Sequence, residues 1–209
     1  MSELPKIAFL IPAYGGVPIP AWQSHINLVA NAGRFCHPAF ITASSCYVNA
    51  SRNKLLENFV KADLVNSFDY VFWIDSDIVF NWGDCAKLLD ALKSANADVI
   101  TGVYFNFIGN ELVPMLNDYI ESEDRYSPSK LTGGTRKVDS AGLGFTIQTA
   151  QSLRKMMGDF GKDFFNFRKS KRGTLIGEDN IFFEHAKKSG FQPWVAEDIR
   201  AGHAKIGVF

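Results

Sequence analysis

The sequence of 209 residues lacks the features of several large classes of protein. It has no excess of basic residues, because 22 Lys and Arg balance 22 Asp and Glu, whereas proteins that bind nucleic acid by neutralising phosphates need such an excess. Its longest early uncharged stretch, Ile7–Trp22, is broken by proline and glycine and is shorter than the roughly 20 apolar residues of a membrane-spanning helix. Internal repeats, low-complexity tracts and linker-like segments are also missing. We therefore expect one domain over residues 1–209, with no nucleic-acid partner and no membrane span.

Cysteine is scarce, with only Cys36, Cys46 and Cys85. The three have no metal-ligand spacing and cannot all pair with one another, which predicts reduced core thiols and a reducing compartment. Glu3 precedes the first apolar run, and that run breaks too soon for a secretory signal. The prediction is a soluble cytoplasmic protein.

Strand-like and helix-like stretches alternate in the first half of the chain. Short apolar runs predict buried strands, and apolar residues at helical spacing predict amphipathic helices. The predicted strands are Lys6–Pro12, Phe40–Ala43, Asp69–Asp75 and Asp98–Val103, and the predicted helices are Ala21–Ala32, Asn49–Val65 and Asp84–Ser94. This alternation predicts an α/β fold with a Rossmann-like, mostly parallel central sheet flanked by helices.

The second half has a less regular pattern. Tyr104–Lys137 lacks clear periodicity and is predicted to be an irregular excursion or an acceptor-facing insertion. After it we expect a glycine-bearing strand over Val138–Gln148 and a short strand over Pro193–Ala196. Helices are expected over Thr149–Met157 and Glu178–Ser189, and Asp198–Phe209 forms a tail.

The strongest functional signal is Asp75-Ser76-Asp77, at the end of a predicted buried strand. Open α/β sheets bind ligands at the carboxyl ends of their strands. Two carboxylates placed there can converge on one hard divalent cation together with phosphate oxygens. The alternative is a simple turn, since Asp and Ser are common turn residues, but the apolar runs on both sides favour a metal site.

Two segments before this motif are candidates for binding a nucleoside. Tyr14 follows Pro12 and Ala13 at the end of the first strand, where its ring could stack on a base or pack as a loop residue. Arg52 and Asn53 lie in the first turn of a predicted helix. They could point into the same cleft or form a solvated helix start.

Two later segments are candidates for the sugar and phosphate sides of the site. Gly142 and Gly144 indicate that the backbone passes close to something, either a sugar ring or another strand. His203 is followed two residues later by Lys205, so the tail could supply an imidazole ligand for a metal and an ammonium for a phosphate. A lone histidine is, however, more often structural.

In this order along the chain, the motifs resemble those of GT-A-fold glycosyltransferases. The resemblance spans roughly Lys6 to Lys205, and the insertion over Tyr104–Lys137 contributes nothing to it. The compact length is similar to that of small members with an Asp-x-Asp motif, including members encoded by large algal viruses. The resemblance implies a nucleotide-binding half over residues 1–103 and an acceptor-side half over residues 104–209.

The resemblance also implies a role for each matching residue. Asp77 and His203 would bind Mn²⁺ or Mg²⁺, and Asp75 would bind it too or hold the ribose hydroxyls. The ion would bridge the diphosphate of a nucleotide sugar, with Lys205 offsetting charge on the leaving phosphate. Residues implied to contact the donor are Pro12, Ala13, Tyr14, Arg52, Asn53, Asp75, Ser76, Gly142 and Gly144.

Glu178 and Asp179, at the start of a predicted helix, are the candidate catalytic carboxylates. In inverting relatives an acidic residue at a comparable helix start is the general base, and in retaining relatives it orients donor or acceptor. Asp179 is slightly favoured over Glu178, and the Gly-His-x-Lys tail slightly favours retention. The structural alternative is stabilisation of the helix N-terminus, worth about 0.3–1 kcal/mol.

The sequence therefore predicts a metal-dependent glycosyltransferase that moves a sugar from a nucleotide sugar, most often a UDP-sugar in this family, to a hydroxyl of a glycan or glycoprotein. A sugar-nucleotide pyrophosphorylase is one alternative. The loop after the first strand has glycines but lacks the Lys or Arg that such enzymes carry there. A binding module without turnover is the other alternative.

Overall fold

The computed structural model describes residues 3–14, 16–161 and 164–204. The strands of these residues, β1 to β16, are Lys6–Ala13, His37–Ser44, Tyr70–Ile74, Ile78–Val79, Val99–Val103, Phe105–Ile108, Glu111–Pro114, Leu116–Ile120, Arg125–Pro128, Thr135–Lys137, Ser140–Ala141, Phe145–Thr149, Arg168–Lys169, Leu175–Ile176, Pro193–Arg200 and Gly202–His203. The α-helices, α1 to α5, are Ile19–Asn31, Val48–Lys61, Trp82–Ser94, Ala150–Phe160 and Glu178–Lys188.

Seven strands form the central sheet, in the order β10-β15-β5-β12-β3-β1-β2. The pairs β1–β2, β1–β3 and β5–β15 are parallel, and the three pairs that involve β12 or β10 are antiparallel. Five of the seven strands therefore run in one direction, which agrees with the predicted mostly parallel α/β sheet. Strands from both halves of the chain share this sheet.

Helices cover both faces of the sheet, because its strands are apolar on both sides. In β1, Ile7 and Phe9 pack towards α1 and α3, whereas Ala8 and Leu10 pack towards α2, α4 and α5. The two layers bury large aromatic side chains, with Trp73 on one face and Phe72 on the other. The result is a three-layer arrangement of helices, sheet and helices. The packed layers hold in place the edge of the sheet at which the parallel strands end.

The prediction of an irregular insertion over Tyr104–Lys137 was wrong. This region forms the hairpin β6–β7, the strands β8 and β9 of a three-stranded sheet, and the edge strand β10. The strands are short and half-exposed, so the sequence has no continuous apolar run to mark them. The predicted strand Val138–Gln148 is likewise two strands, β11 and β12, in different sheets.

Three further expectations need correction. The predicted helix Asn49–Val65 ends at Lys61 and is followed by a separate 3-10 turn, Leu64–Asn66. The predicted tail contains the end of β15 and all of β16. Cys46 is exposed in the loop between β2 and α2, so only Cys36 and Cys85 are core thiols.

Among the residues that the structure describes, no helix combines the length and the apolar composition needed to cross a bilayer.

Candidate functional site

The candidate site lies at the carboxyl edge of the central sheet. β1, β3 and β5 run in the same direction, so the residues that follow them, Tyr14, Asp75 and Tyr104, emerge at one edge. The antiparallel strand β12 begins at this edge, immediately after Gly144. The peptide N–H of Asp75 donates to the Gly144 carbonyl at 3.0 Å, which fixes the first aspartate against β12.

Asp77 and His203 come together at this edge although they are 126 residues apart. β16, which contains His203, pairs antiparallel with β4, so His203 lies opposite Ile78. The His203 Nε2 atom is 3.0 Å from Asp77 Oδ2. The other oxygen of Asp77 and the Nδ1 atom of His203 are buried and have no hydrogen-bond partner among the described residues. The structure thus brings together two of the predicted metal ligands and leaves a carboxylate oxygen unsatisfied.

Arg52 lies at the centre of the site rather than at its rim. Its side chain is only 1% exposed, and its Nη2 atom donates to both carboxylate oxygens of Asp75, at 3.0 and 2.8 Å. Its Nη1 atom pairs with Asp179 and, at 3.3 Å, with Glu178, the two acids in the first turn of α5. One guanidinium therefore ties β3 to the start of α5.

The electrostatics of this cluster reflect three carboxylates around one cation. Burial raises the pKa of Asp75 to about 6, although Arg52 acts in the opposite direction. Burial and then the charge of Asp179 also raise the pKa of Glu178. Burial opposes the charge of Arg52, but the surrounding carboxylates hold its pKa well above its ordinary value. The cluster is rich in negative charge before any ligand binds.

The predicted nucleoside edge is partly assembled around the same acids. Pro12 and Ala13 end β1, and the Ala13 carbonyl accepts the hydroxyl of Ser51 at 3.2 Å, joining this edge to the first turn of α2. Tyr14 is half-buried, and burial together with the charges of Asp77 and Asp75 raises its pKa to about 12. The charges of the two aspartates therefore act on its phenol.

Asn53 has a structural role in this structure. Its Nδ2 atom donates to the Phe165 carbonyl at 3.0 Å, and its Oδ1 atom accepts the Phe165 peptide N–H at 2.9 Å. Ser76 is buried, and its hydroxyl has no hydrogen-bond partner within the described residues. Lys205 lies outside the described residues. Contacts of these three residues with a donor stay predictions.

The two glycines allow close approach of protein side chains. A Cβ atom on Gly144 would lie 2.7 Å from Asp75 Oδ2, and one on Gly142 would collide with the hydroxyl of Tyr104. The Tyr104 hydroxyl also lies 3.4 Å from the Gly144 peptide nitrogen, and the ring meets His203 edge-on at 5.4 Å between centroids. A role for Gly142 and Gly144 as the wall of a sugar pocket stays a prediction.

Sequence reasoning missed Tyr104 and His25. Tyr104 directly follows the predicted strand over Asp98–Val103, so its place at the carboxyl edge was available as a signal. His25 is buried on α1. Burial lowers its pKa, and a hydrogen bond with the backbone of Asp75 and the charge of Asp77 act in the opposite direction. Nothing in the local pattern distinguishes it from an ordinary core residue.

No protein-family model matches the sequence, and no curated protein matches it. Solved structures with a similar fold include the following two. The crystal structure of A197 from STIV matches with a TM-score of 0.61 and 20% identity, over 96% of this chain and 86% of A197. The crystal structure of GalNAc-T7 with UDP, GalNAc and Mn²⁺ matches with a TM-score of 0.62 and 7% identity, over 98% of this chain.

The likeness to GalNAc-T7 confirms the predicted GT-A-like α/β fold. This chain spans 44% of the length of the GalNAc-T7 chain. At these identities the two likenesses establish the fold alone. The chemistry has to be argued from the site itself.

Proposed function

We propose that this protein is a metal-dependent glycosyltransferase that uses a nucleotide sugar, a UDP-sugar, as donor. The observation that carries the proposal is the 3.0 Å approach of Asp77 and His203 at the carboxyl edge of the sheet. Beside them lies a buried cluster of acids around Arg52. The GT-A-like fold supports the interpretation of these residues as a donor and metal site.

The residues present fit a divalent cation held by two protein ligands. Two ligand atoms that share one metal at bond lengths of about 2.1 Å and at right angles lie about 3 Å apart, and Asp77 Oδ2 and His203 Nε2 have this separation. No group of three or more His, Cys, Asp or Glu that could hold a metal occurs within the described ranges. The remaining ligands would therefore come from the donor diphosphate and water.

Mn²⁺ or Mg²⁺ held by Asp77 and His203 would offset the negative charge that develops on the leaving diphosphate. Both oxygens of Asp75 accept hydrogen bonds from Arg52, which favours the ribose hydroxyls rather than the metal as its ligand. Tyr14 would stack on the base. Lys205 would pair with phosphate, as the resemblance implies.

The acceptor would approach from the side of the β6–β7 hairpin, within the proposed acceptor-side half. A cavity of about 490 Å³ lies between this hairpin and β16, and Phe105, Phe107 and His203 are among its lining residues. A glycan or glycoprotein hydroxyl reaching through it would arrive beside the metal ligand. The aromatic side chains suit the apolar faces of sugar rings.

The pairing of Asp179 and Glu178 with Arg52 supports the retaining course. A general base must accept a proton from the acceptor hydroxyl, and a carboxylate held by a buried guanidinium is poorly placed to do so. In this proposal Asp179, rather than acting as the base, helps Arg52 to orient the donor. The anomeric configuration of the first-formed product, followed by NMR, distinguishes the two courses.

The experiment is a calorimetric titration of UDP into the protein with Mn²⁺ and, separately, with EDTA. We expect binding that requires the metal and is weakened at least about tenfold in Asp77→Asn, which lowers the charge of the ligand without changing its shape. Asp90→Asn is the matched control, because Asp90 is exposed on α3, away from the carboxyl edge. A panel of UDP-sugars then identifies the donor by metal-dependent hydrolysis.

Three outcomes would contradict the proposal. If UDP, GDP and dTDP all fail to bind in the presence of metal, the assignment of a donor site is wrong. Pyrophosphate exchange with a sugar phosphate would favour a pyrophosphorylase. Metal-dependent binding of a nucleotide sugar without any turnover would favour a binding module.

A further inference from the structure

Tyr104 lies between the start of β12 and the candidate metal ligand His203. It is the first residue after β5, and only 5% of it is exposed. The Val103 carbonyl accepts the Ala201 peptide N–H at 2.8 Å, which holds the end of β5 beside the start of β16. The ring of Tyr104 consequently lies against the ring of His203, edge-on at 5.4 Å between centroids.

The imidazole of His203 depends on packing for its orientation. A histidine that binds a metal through one ring nitrogen usually donates a hydrogen bond from the other, and that bond fixes the plane of the ring. The Nδ1 atom of His203 is buried and has no such partner among the described residues. Pairing of β16 with β4, and the hydrogen bond from the Ala204 peptide N–H to the Asp77 carbonyl at 2.8 Å, fix the backbone. The rotation of the side chain is left to its neighbours, and Tyr104 supplies the aromatic contact.

Two glycines hold Tyr104 in its place. The Gly144 peptide N–H donates to its hydroxyl at 3.4 Å, and the Gly144 carbonyl accepts the Asp75 peptide N–H at 3.0 Å. Gly142 lies so close that a Cβ atom on it would overlap the phenol. Contacts therefore run from Asp75 through Gly144 and Tyr104 to His203, which faces the second aspartate of the motif.

We propose that Tyr104 is a positioning residue for the metal site, whose ring sets the orientation in which His203 and Asp77 converge on one divalent cation. The proposal rests on the metal site of the proposed function and adds a residue that acts on the cation through His203. A metal site requires its ligand atoms at defined separations. A rotation of the imidazole would move His203 Nε2 away from Asp77 Oδ2, which now lies 3.0 Å from it.

The test is a titration of the protein with MnCl₂ alone, without nucleotide, followed by the loss of the EPR signal of free Mn²⁺. Tyr104→Leu removes the ring, and we expect the dissociation constant for Mn²⁺ to rise about tenfold, as when a group that orients a metal ligand is removed. Tyr104→Phe keeps the ring and should bind Mn²⁺ nearly as tightly as the wild type. Tyr70→Leu is the matched control, because Tyr70 begins β3 at the opposite edge of the sheet, and it should leave the dissociation constant unchanged.

Gly142→Ala is a second variant that perturbs the same ring, and it carries the test if Tyr104→Leu fails to fold, as judged by circular dichroism and urea unfolding in EDTA. Its new Cβ would displace the phenol, so we expect weaker Mn²⁺ binding although the substitution leaves both metal ligands in the chain. In the double variant Gly142→Ala/Tyr104→Leu the two effects should not add, because both act through the position of one side chain.

Three results would overturn the proposal. The first is a folded Tyr104→Leu or Gly142→Ala variant that binds Mn²⁺ as tightly as the wild type. The second is a loss in Tyr104→Phe as large as that in Tyr104→Leu, because the hydroxyl rather than the ring would then be responsible. The third is a wild type that binds no Mn²⁺, which would remove the metal site as well. Binding of Mn²⁺ that depends on the Tyr104 ring, without any reaction of UDP-sugars, would support this inference and contradict only the proposed glycosyl transfer.

Discussion

The most direct test of the site's electrostatics is to remove Arg52. In Arg52→Met the side chain keeps much of its length and apolar bulk but loses the guanidinium that faces Asp75, Glu178 and Asp179. Removing one partner of a buried ion pair generally costs about 3–5 kcal/mol, because the other partner stays buried and unpaired. Since three carboxylates lose their partner, we expect the free energy of unfolding at pH 8 to fall by at least about 3 kcal/mol.

The pH dependence of this loss identifies its cause. The pKa of Asp75 is about 6 in the folded protein against an ordinary value of 3.8, a difference that corresponds to about 3 kcal/mol. The folded state holds this proton where the unfolded chain releases it. The carboxyl therefore stabilises the fold below about pH 4, and this stability is lost as the pH rises towards 6. Without Arg52 the pKa values of Asp75 and Glu178 rise further, so the deficit of the variant shrinks as the pH falls from 8 to 5.

The assay is urea unfolding followed by tryptophan fluorescence at pH 8, 7, 6 and 5, in EDTA and without nucleotide. Arg172→Met is the matched control, because Arg172 is 66% exposed and its one ion pair within the described part of the chain is a long one of 3.6 Å with Glu123. Its unfolding free energy should stay within about 0.5 kcal/mol of the wild type. A deficit of Arg52→Met below about 1 kcal/mol, or one that is the same at every pH, would refute the reasoning.

Two further substitutions test close packing and a half-buried histidine. In Gly144→Ala the new Cβ would lie 2.7 Å from Asp75 Oδ2, so we expect the free energy of unfolding to fall by about 1–3 kcal/mol and metal-dependent UDP binding to weaken. Gly158→Ala is the control, because Gly158 lies on α4 with open space around it. We expect it to raise the free energy of unfolding by about 0.5–1 kcal/mol. Equal effects of the two would contradict this. His185 stacks on Phe160 at 3.8 Å, and burial lowers its pKa to about 4, so stability is lost as the pH falls from 6.5 to 4, by at most about 3 kcal/mol. His185→Gln should flatten the stability profile in that window, measured by urea unfolding, and an unchanged slope would assign the loss to other groups.

The sequence predicted the layered core well because burial on both faces produces a strong local pattern. The strands around Phe9 and Phe72 are continuous apolar runs, and the helices behind them have one apolar face. The same logic failed for β6 to β9, which are half-exposed and are stabilised by pairing with each other and by ion pairs. Arg168, for example, joins Asp124 at the end of a 3-10 turn to Glu184 on α5. Such contacts between distant residues leave no periodic trace in the sequence.

The outward face of α1 shows a different limit. The spacing of apolar residues predicts a helix over Ala21–Ala32, but it does not say which of the apolar side chains face the sheet. In the structure the buried side of α1 consists of Ala21, Ser24, His25 and Leu28. Trp22, Ile26 and Val29 are exposed, so the packing of the whole fold decides which apolar side chains of a helix are buried.

The residues of the candidate site were predictable by type but not by partner. Strand ends and an Asp-x-Asp motif located Asp75 and Asp77, whereas the contacts of Arg52 with α5 depend on bringing residues 126 and 127 positions apart together. These contacts change the interpretation of Arg52 and of the carboxylates that it contacts. Arg52 becomes the group that lets Asp75, Glu178 and Asp179 coexist in a buried space, and one positive charge among these three acids and Asp77 leaves a net negative site. A site of this charge is more stable with a divalent cation than without one, which is the physical reason to expect metal and nucleotide diphosphate to bind together.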